Sequence, residues 1–329
     1  MILVTGATGL VGSHLLLKLI EHDILVVALY RSESKKNLTL DFLKKRTHSS
    51  KWDEIIWRKG DICNHPSLAD AFEGITHLYH CAAFISFAHY KQETLMQVNQ
   101  EGTANLVNLA IKNKIRKIAY ISSIAALGSD ANSNSIDETS PWDADQDHTP
   151  YAYSKYGAEL EVWRATQEGV PAVIVNPGVI LGSGVEGNPL ALLCNRIDKN
   201  SPFYPKGATG YVTVEDVVQV LIELMNSEII NERFILVAEN WSYKDIFTKI
   251  ALLRKRKLPK ISIKKSWLKI AWLIEGVLYL FGKRRFMTKA LINSLCDKKK
   301  ILGKRITHKI SFKYSSIETY LEQHASIRG

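Results

Sequence analysis

The chain has 329 residues, 46% hydrophobic and 23% charged, with a net charge of +10. That length implies one large or two smaller domains with a core that needs no covalent staples. The four cysteines, Cys63, Cys81, Cys194 and Cys296, form no CxxC pair and sit near no histidine cluster, which excludes a zinc or disulfide framework and points to a reducing compartment.

In chain order, apolar runs alternate with segments of helical period. ILVTG opens the chain at Ile2 with no basic leader before it, so a cytoplasmic protein without a signal peptide is expected. ILVVALY, EIIWRKGD, ITHLYHCAA, KIAYISS, PAVIVNPG and RFILVA follow. Between most of them lie LLLKLIE, LADAF, TANLVNLAIKN, AELEVWRATQ and EDVVQVLIELM. Strand-then-helix repetition predicts an α/β fold, a doubly wound parallel sheet with helices on both faces. Runs apolar at nearly every position fit strands buried on both faces. Residues 129–150 are polar and read as a surface loop. The Gly- and Pro-rich stretch 177–210 reads as irregular. From about 236 the pattern becomes helical with basic flanks, so a smaller, mostly helical second domain is expected there.

The first strand runs into TGATGLVG, with Gly6, Gly9 and Gly12 ahead of an apolar helix. A side chain at Gly6 or Gly9 would block a tight turn or the approach of a phosphate, and one at Gly12 would hold the helix off the strand. The N–H groups at the helix start then face an anion. This is the turn of a dinucleotide site.

The GxxGxxG spacing resembles the extended short-chain dehydrogenase/reductase family, and further segments agree in order. Asp61 in KGDIC matches an acidic residue that contacts adenine, with Ile62 beside it. HCAA, from His80 through Cys81, Ala82 and Ala83, matches the segment lining the adenine ribose. NQEGTANL begins at Asn99 and matches the next helix. SSIAALG, from Ser122, matches the strand end that carries a catalytic serine. YAYSK, Tyr151 to Lys155, matches the YxxxK pair. NPGVILG, with Pro177, Gly178 and Val179, matches the loop over the nicotinamide, and YVTVEDVV a late motif. The resemblance covers about residues 1–225. It implies a Rossmann-type NAD(P)-binding domain over 1–176 plus about 211–237, and a substrate domain over 177–210 and 238–329. It implies cofactor contacts at Gly6, Thr8, Gly9, Leu10, Val11, Gly12, Asp61, Ile62, Cys81, Ala82, Ala83, Asn99, Ser122, Tyr151, Lys155, Pro177, Gly178 and Val179.

The chemistry follows from residue types. Reducing a carbonyl by hydride needs a proton donor at the developing alkoxide. A tyrosine hydroxyl can serve, but its ordinary pKa of about 10 is high, and a nearby ammonium lowers it. Tyr151 and Lys155 are one helical turn apart. A serine hydroxyl can polarise the carbonyl, and the family resemblance, counted back from Gly128, implies that it is Ser123, with Ser122 as its structural neighbour. Tyr153 has Gly157, not lysine, four residues on. His80 reads as a structural histidine rather than a base. No metal is expected.

Cofactor choice rests on ALYRSESKK. Arg31, with Lys35 and Lys36 behind it, favours NADP through its 2′-phosphate, while Glu33 keeps NAD open. Nucleotide-sugar enzymes of the family carry an RDFxxVDD-like late motif. Here Thr209 and Gly210 replace the arginine and aspartate, and NPGVILG is nearer the dihydroflavonol reductase and hydroxysteroid dehydrogenase branch. The reading is therefore an NADP-dependent reductase of an apolar ketone or aldehyde, or the reverse dehydrogenase. The alternatives are a nucleotide-sugar epimerase or dehydratase and a non-catalytic NADP-binding regulator.

Residues 251–329 carry 20 Lys and Arg against 4 acidic residues, a net of +16 that leaves −6 for residues 1–250. No aromatic-interleaved nucleic-acid motif accompanies that charge, so a solvated surface is the expectation and nucleic acid is not a partner. The run SWLKIAWLIEGVLYLFG, residues 266–282, is expected to be a buried helix walling the substrate pocket. Membrane-surface contact through 251–290 is the alternative not favoured. The expected partner is a small-molecule substrate, and a homodimer is compatible.

Overall fold

The computed structural model describes residues 1–22, 24–47, 50–128, 133–185 and 188–325. The elements of its first part are β1 (Ile2–Thr5), α1 (Leu10–Glu21), β2 (Val26–Tyr30), α2 (Glu33–Arg46), β3 (Ile56–Lys59), α3 (His65–Ala69), β4 (His77–His80) and α4 (Gln92–Leu95). α5 (Gly102–Lys112), β5 (Lys117–Ile121), β6 (Ser135–Ile136), α6 (Pro150–Gln167), β7 (Ala172–Pro177) and β8 (Val179–Leu181) follow. Then come α7 (Pro189–Asp198), β9 (Phe203–Pro205), β10 (Ala208–Thr213), α8 (Val214–Asn226), β11 (Glu232–Leu236) and β12 (Glu239–Ser242). The chain continues with α9 (Tyr243–Leu253), β13 (Ile261–Ile263), α10 (Lys265–Leu280), α11 (Lys289–Cys296), β14 (Lys300–Ile301), α12 (Arg305–Lys309) and α13 (Ile317–His324).

All seven apolar runs enter one sheet, ordered β11-β7-β5-β4-β1-β2-β3, with every pairing parallel. The strand order reverses between β1 and β4, which opens a crevice at their carboxyl ends. β2 and β5 are buried at every position, as strands covered on both faces must be. One core layer packs Leu15, Leu16 and Leu19 of α1 with Val217 and Leu221 of α8. The other packs Leu106 and Leu109 of α5 with Ala158 and Val162 of α6.

A third cluster joins Leu181, Leu190, Tyr211, Ile246, Ile250 and Ile317 on a small sheet ordered β12-β10-β8. It corrects two expectations. The stretch 177–210 is not irregular, because Asn188 caps α7 by accepting from Ala191 N and Pro189 fits the first turn. The region after 236 also contributes β12, β13 and β14. Of the loop expected over 129–150, residues 129–132 lie outside the described residues.

The larger correction concerns residues 266–282. They form α10, yet not one of its residues is buried. Its polar side chains Lys265 and Lys269 line a cavity of about 350 Å³ against α11, and the Glu275 carboxylate accepts from Phe286 N and Met287 N. Trp272 and Leu273 line the same cavity, while Trp267, Ile270, Ile274 and Val277 stay exposed on the helix surface. No described helix is long and apolar enough to cross a membrane.

Candidate active site

The glycine turn explains itself by steric contact. Gly6 adopts φ +65°, and a Cβ there would stand 2.6 Å from Ala82 N. A Cβ on Gly12 would stand 2.1 Å from Gly6 O. Gly9 differs: its nearest neighbour would be Gly6 O at 3.3 Å, so packing alone does not demand glycine there. Gly9 is also the N-cap of α1 and offers no side-chain acceptor. The first intrahelical bond is Ser13 N to Gly9 O, so the amides of Leu10, Val11 and Gly12 are left for an anion. Space at Gly9 and an uncapped helix start fit a dinucleotide pyrophosphate, with Thr8 on the same turn.

The remaining candidates come from the carboxyl ends of neighbouring strands. Cys81, Ala82 and Ala83 follow β4, with Ala82 N donating to Thr5 Oγ1 at 3.4 Å. Burial pushes the Cys81 thiol up to about 12, so it is no nucleophile. Asp61 and Ile62 follow β3. Arg31, at the end of β2, is 69% exposed and pairs with Asp61 Oδ2 at 3.3 Å. Two residues from different motifs therefore meet at the carboxyl ends of β2 and β3. Lys35 lies in the first turn of α2, which Ser32 caps. Lys36 turns away to Glu33 at 3.6 Å and the Tyr30 ring. Glu33 in turn accepts from the Tyr30 hydroxyl at 2.5 Å.

Three candidates are spent on the protein itself. Asn99 Oδ1 accepts from Phe84 N at 2.7 Å, and its Nδ2 donates to Phe84 O and Ser154 Oγ. It positions the 81–84 segment rather than reaching into the crevice. Ser122 Oγ donates inward to Glu159 Oε2 at 2.7 Å. Gly178 is glycine because a Cβ would meet Gly210 O at 2.3 Å, and a Cβ on Gly210 would strike Val237. That close approach supplies a steric reason for Gly210 at the family's aspartate position. Pro177 ends β7 and Val179 opens β8 beside it.

Ser123 and Tyr151 do come together. Thr149 accepts from Ala152 N at 3.1 Å and Pro150 occupies the first turn, which fixes the start of α6 and the placement of Tyr151. Burial pushes the Tyr151 hydroxyl up to about 12, partly offset by the neighbouring Ser123 hydroxyl. The Phe87 ring stands edge-on to Tyr151 at 5.8 Å.

Lys155 corrects an expectation. Its Nζ donates to Tyr120 Oη at 2.6 Å and Ile121 O at 2.8 Å, and does not touch the Tyr151 hydroxyl. Burial lowers its pKa to about 7, against the pull of Glu159. In this arrangement burial, not the lysine, sets the proton affinity of Tyr151. Two of the three ammonium N–H groups are used and one is left over.

Two residues here carry no motif of their own. The Glu159 carboxylate, buried one turn beyond Lys155, gathers Ser122, Asn176 Nδ2 at 2.9 Å and Arg233 Nη1 at 3.0 Å. The available signal was the spacing of Tyr151, Lys155 and Glu159 by fours along one helix face. Tyr120 was signalled only by a hydroxyl in an aliphatic strand, which needs a partner. His80 joins them: its ring nitrogens meet Thr5 Oγ1 at 2.8 Å and Thr103 Oγ1 at 2.9 Å, and burial lowers its pKa to about 3. It is a satisfied structural histidine. Asn176 Oδ1 is buried without a partner among the described residues and is free to accept from a bound group.

The family model for the NAD-dependent epimerase/dehydratase family matches residues 2–236. A Synechocystis protein assigned by name as a dihydroflavonol 4-reductase is 30% identical over 292 residues, covering 85% of this chain and 80% of its own. Sterol demethylase protein B of Methylococcus capsulatus is 29% identical over 267 residues, covering 79% and 76%. The crystal structure of gox2253 superposes with a TM-score of 0.83 at 28% identity, covering 100% of this chain and 99% of that one. UDP-glucose 4-epimerase of Thermotoga maritima superposes at 0.73 with 17% identity, covering 98% and 97%, a likeness of fold alone.

Proposed function

The chain belongs to the NAD-dependent epimerase/dehydratase family of extended short-chain dehydrogenases/reductases, and from that premise we propose that it is an NADP-dependent reductase of an apolar ketone or aldehyde. The observation that carries the reading is Tyr151 with the Ser123 hydroxyl close enough to lower its proton affinity and Lys155 one turn on, beside a glycine turn open to a pyrophosphate. Residues 1–176 with about 211–237 would hold the dinucleotide, and 177–210 with 238–329 the substrate.

A nicotinamide dinucleotide held at the glycine turn would supply hydride to the carbonyl carbon. Tyr151 Oη donates the proton that the oxygen then needs. A hydroxyl held near 12 is protonated at neutral pH and so holds the proton to be donated. Ser123 Oγ donates to the same oxygen and stabilises its developing charge. The spare N–H of Lys155 is suited to the nicotinamide ribose, and Asn176 Oδ1 to a donor on the cofactor. Arg31 and Lys35 would hold the 2′-phosphate.

Relatives named as reductases and the glycine at 210 support this over sugar-nucleotide chemistry. NADPH consumption by the purified protein against panels of apolar ketones and aldehydes, with product analysis of UDP-sugars incubated with the protein, is the test. Turnover of a ketone or aldehyde with NADPH is expected. UDP-sugar epimerisation would replace the reading, and binding of NADPH with no turnover of any panel member would favour a regulator.

A further inference from the structure

The outward face of α10 is apolar where a water-exposed helix is ordinarily polar. Trp267, Ile270, Ile274, Val277, Leu278 and the following Phe281 recur at helical spacing, and each is between 44% and 76% exposed. Exposed Lys265 and Lys269 border the cavity beside Trp272 and Leu273, and Glu275 closes the following turn. Such a stripe asks for an apolar cover. The surrounding charge says which kind. Residues 254–289 hold 12 Lys and Arg against the single acidic residue Glu275, whose carboxylate is engaged by Phe286 N and Met287 N. Exposed Lys264 stands at the start of the helix and exposed Lys283 and Arg284 just past its end.

We propose that α10 docks this protein on an anionic lipid surface, its apolar stripe entering the headgroup–acyl boundary and its flanking cations resting on the lipid phosphates and carboxylates. A 16-residue helix is about 24 Å long, too short to cross a hydrocarbon core of about 30 Å but suited to lie in the interface. The same charge opposes a second copy of this face, since pairing it would bring two basic belts together. The inference goes beyond the catalytic reading and does not depend on it.

The test is co-sedimentation of the full chain with phosphatidylcholine vesicles, with and without phosphatidylserine. Binding is expected only with phosphatidylserine, reversed by raised salt. The double variant Ile274→Asp/Val277→Asp should cut the bound fraction about tenfold, and Lys264→Glu/Lys283→Glu by a similar factor. Equal binding by wild type and both variants, or no binding at all, overturns the proposal. So does a vesicle-free dimer that the Ile274→Asp/Val277→Asp variant dissociates while vesicles bind neither form. Should a variant misfold, hydrogen exchange on the wild type decides: residues 266–282 gain protection with phosphatidylserine vesicles, and an unchanged pattern refutes the docking.

Discussion

Lys155 Nζ donates to the Tyr120 hydroxyl across 2.6 Å, and Tyr120 is the first member of a buried cluster. Its ring stacks on His80 with centroids 5.1 Å apart, and His80 meets Thr103 Oγ1 and, at the end of β1, Thr5 Oγ1. The lysine one turn from the candidate proton donor is therefore linked through Tyr120 and His80 to the strand that launches the glycine turn. Removing the link at Tyr120→Phe takes away a partner of the charged ammonium. Turnover should fall about tenfold with dinucleotide affinity nearly unchanged, and the Lys155 inflection in the pH–rate profile should move below about 7. An unmoved profile would mean that Tyr120 only fills space.

Tyr151→Phe keeps the ring against Phe87 and deletes the hydroxyl. Turnover should drop by about 10²–10⁴-fold or more while dinucleotide binding persists, as measured by kcat and by calorimetry. Near-normal kcat would remove Tyr151 from the mechanism.

The glycines of the turn should separate by what they do. Gly12→Ala drives a Cβ into Gly6 O at 2.1 Å and should lower stability by about 1–3 kcal/mol or prevent folding. Gly9→Val meets little protein and should leave the urea midpoint nearly in place. It should nevertheless weaken dinucleotide binding at least about tenfold, because the branched side chain fills the anion's space. Loss of stability in both variants, with binding retained per folded molecule, would contradict the site.

Arg31 is exposed and held to Asp61 by one long contact, so it is available to a 2′-phosphate. A charge-assisted contact there is worth about 1.5–3 kcal/mol, a tenfold to hundredfold preference for NADP over NAD. Arg31→Ala should erase most of it by weakening NADP, and raised salt should shrink it. Dissociation constants for both cofactors decide; equal wild-type affinities withdraw the NADP assignment.

The buried imidazole of His80 makes acid lability predictable. Its pKa is about 3 when folded against 6.5 unfolded, so between those values the unfolded chain binds a proton that the folded one refuses. Stability must then fall as pH drops from about 6.5 to about 3, at about 1.4 kcal/mol per unit for this one group. His14, lowered to about 4 by burial, adds to the slope above pH 4. Urea melts across this range should show the loss, and His80→Gln should flatten part of it.

What was legible in the chain follows from which forces are local. Val26–Tyr30 and Lys117–Ile121 announce themselves because a strand covered on both faces has no solvent side to mark with charge. The glycine turn is legible because Gly6 adopts a positive φ and Gly12 answers to the Gly6 carbonyl six residues back. α7 is hidden because Asn188 and Pro189 serve equally as a turn or as a helix start, and the choice falls to packing against α9. For α10 the apolarity was plain but its covering was not: sequence shows that a face needs burial, not what supplies it. The partners of Lys155 and Glu159 come from strands 34 and 74 residues away and leave no spacing to read.

The touching backbones of Gly178 and Gly210 have an evolutionary consequence. The chain leaves the main sheet after Pro177 and comes back along β10, with Val179 paired to Tyr211 and Leu181 to Thr213 in parallel register. Both ends of the excursion are thereby riveted at one crossing, on the sheet side of everything between them. Residues 182–207 can lengthen, shorten or change chemistry without displacing Asn176 or the cap of α8 at Thr213. A lineage that keeps the rivet can exchange the excursion while the strand ends that carry Ser123 and Asn176 are inherited intact.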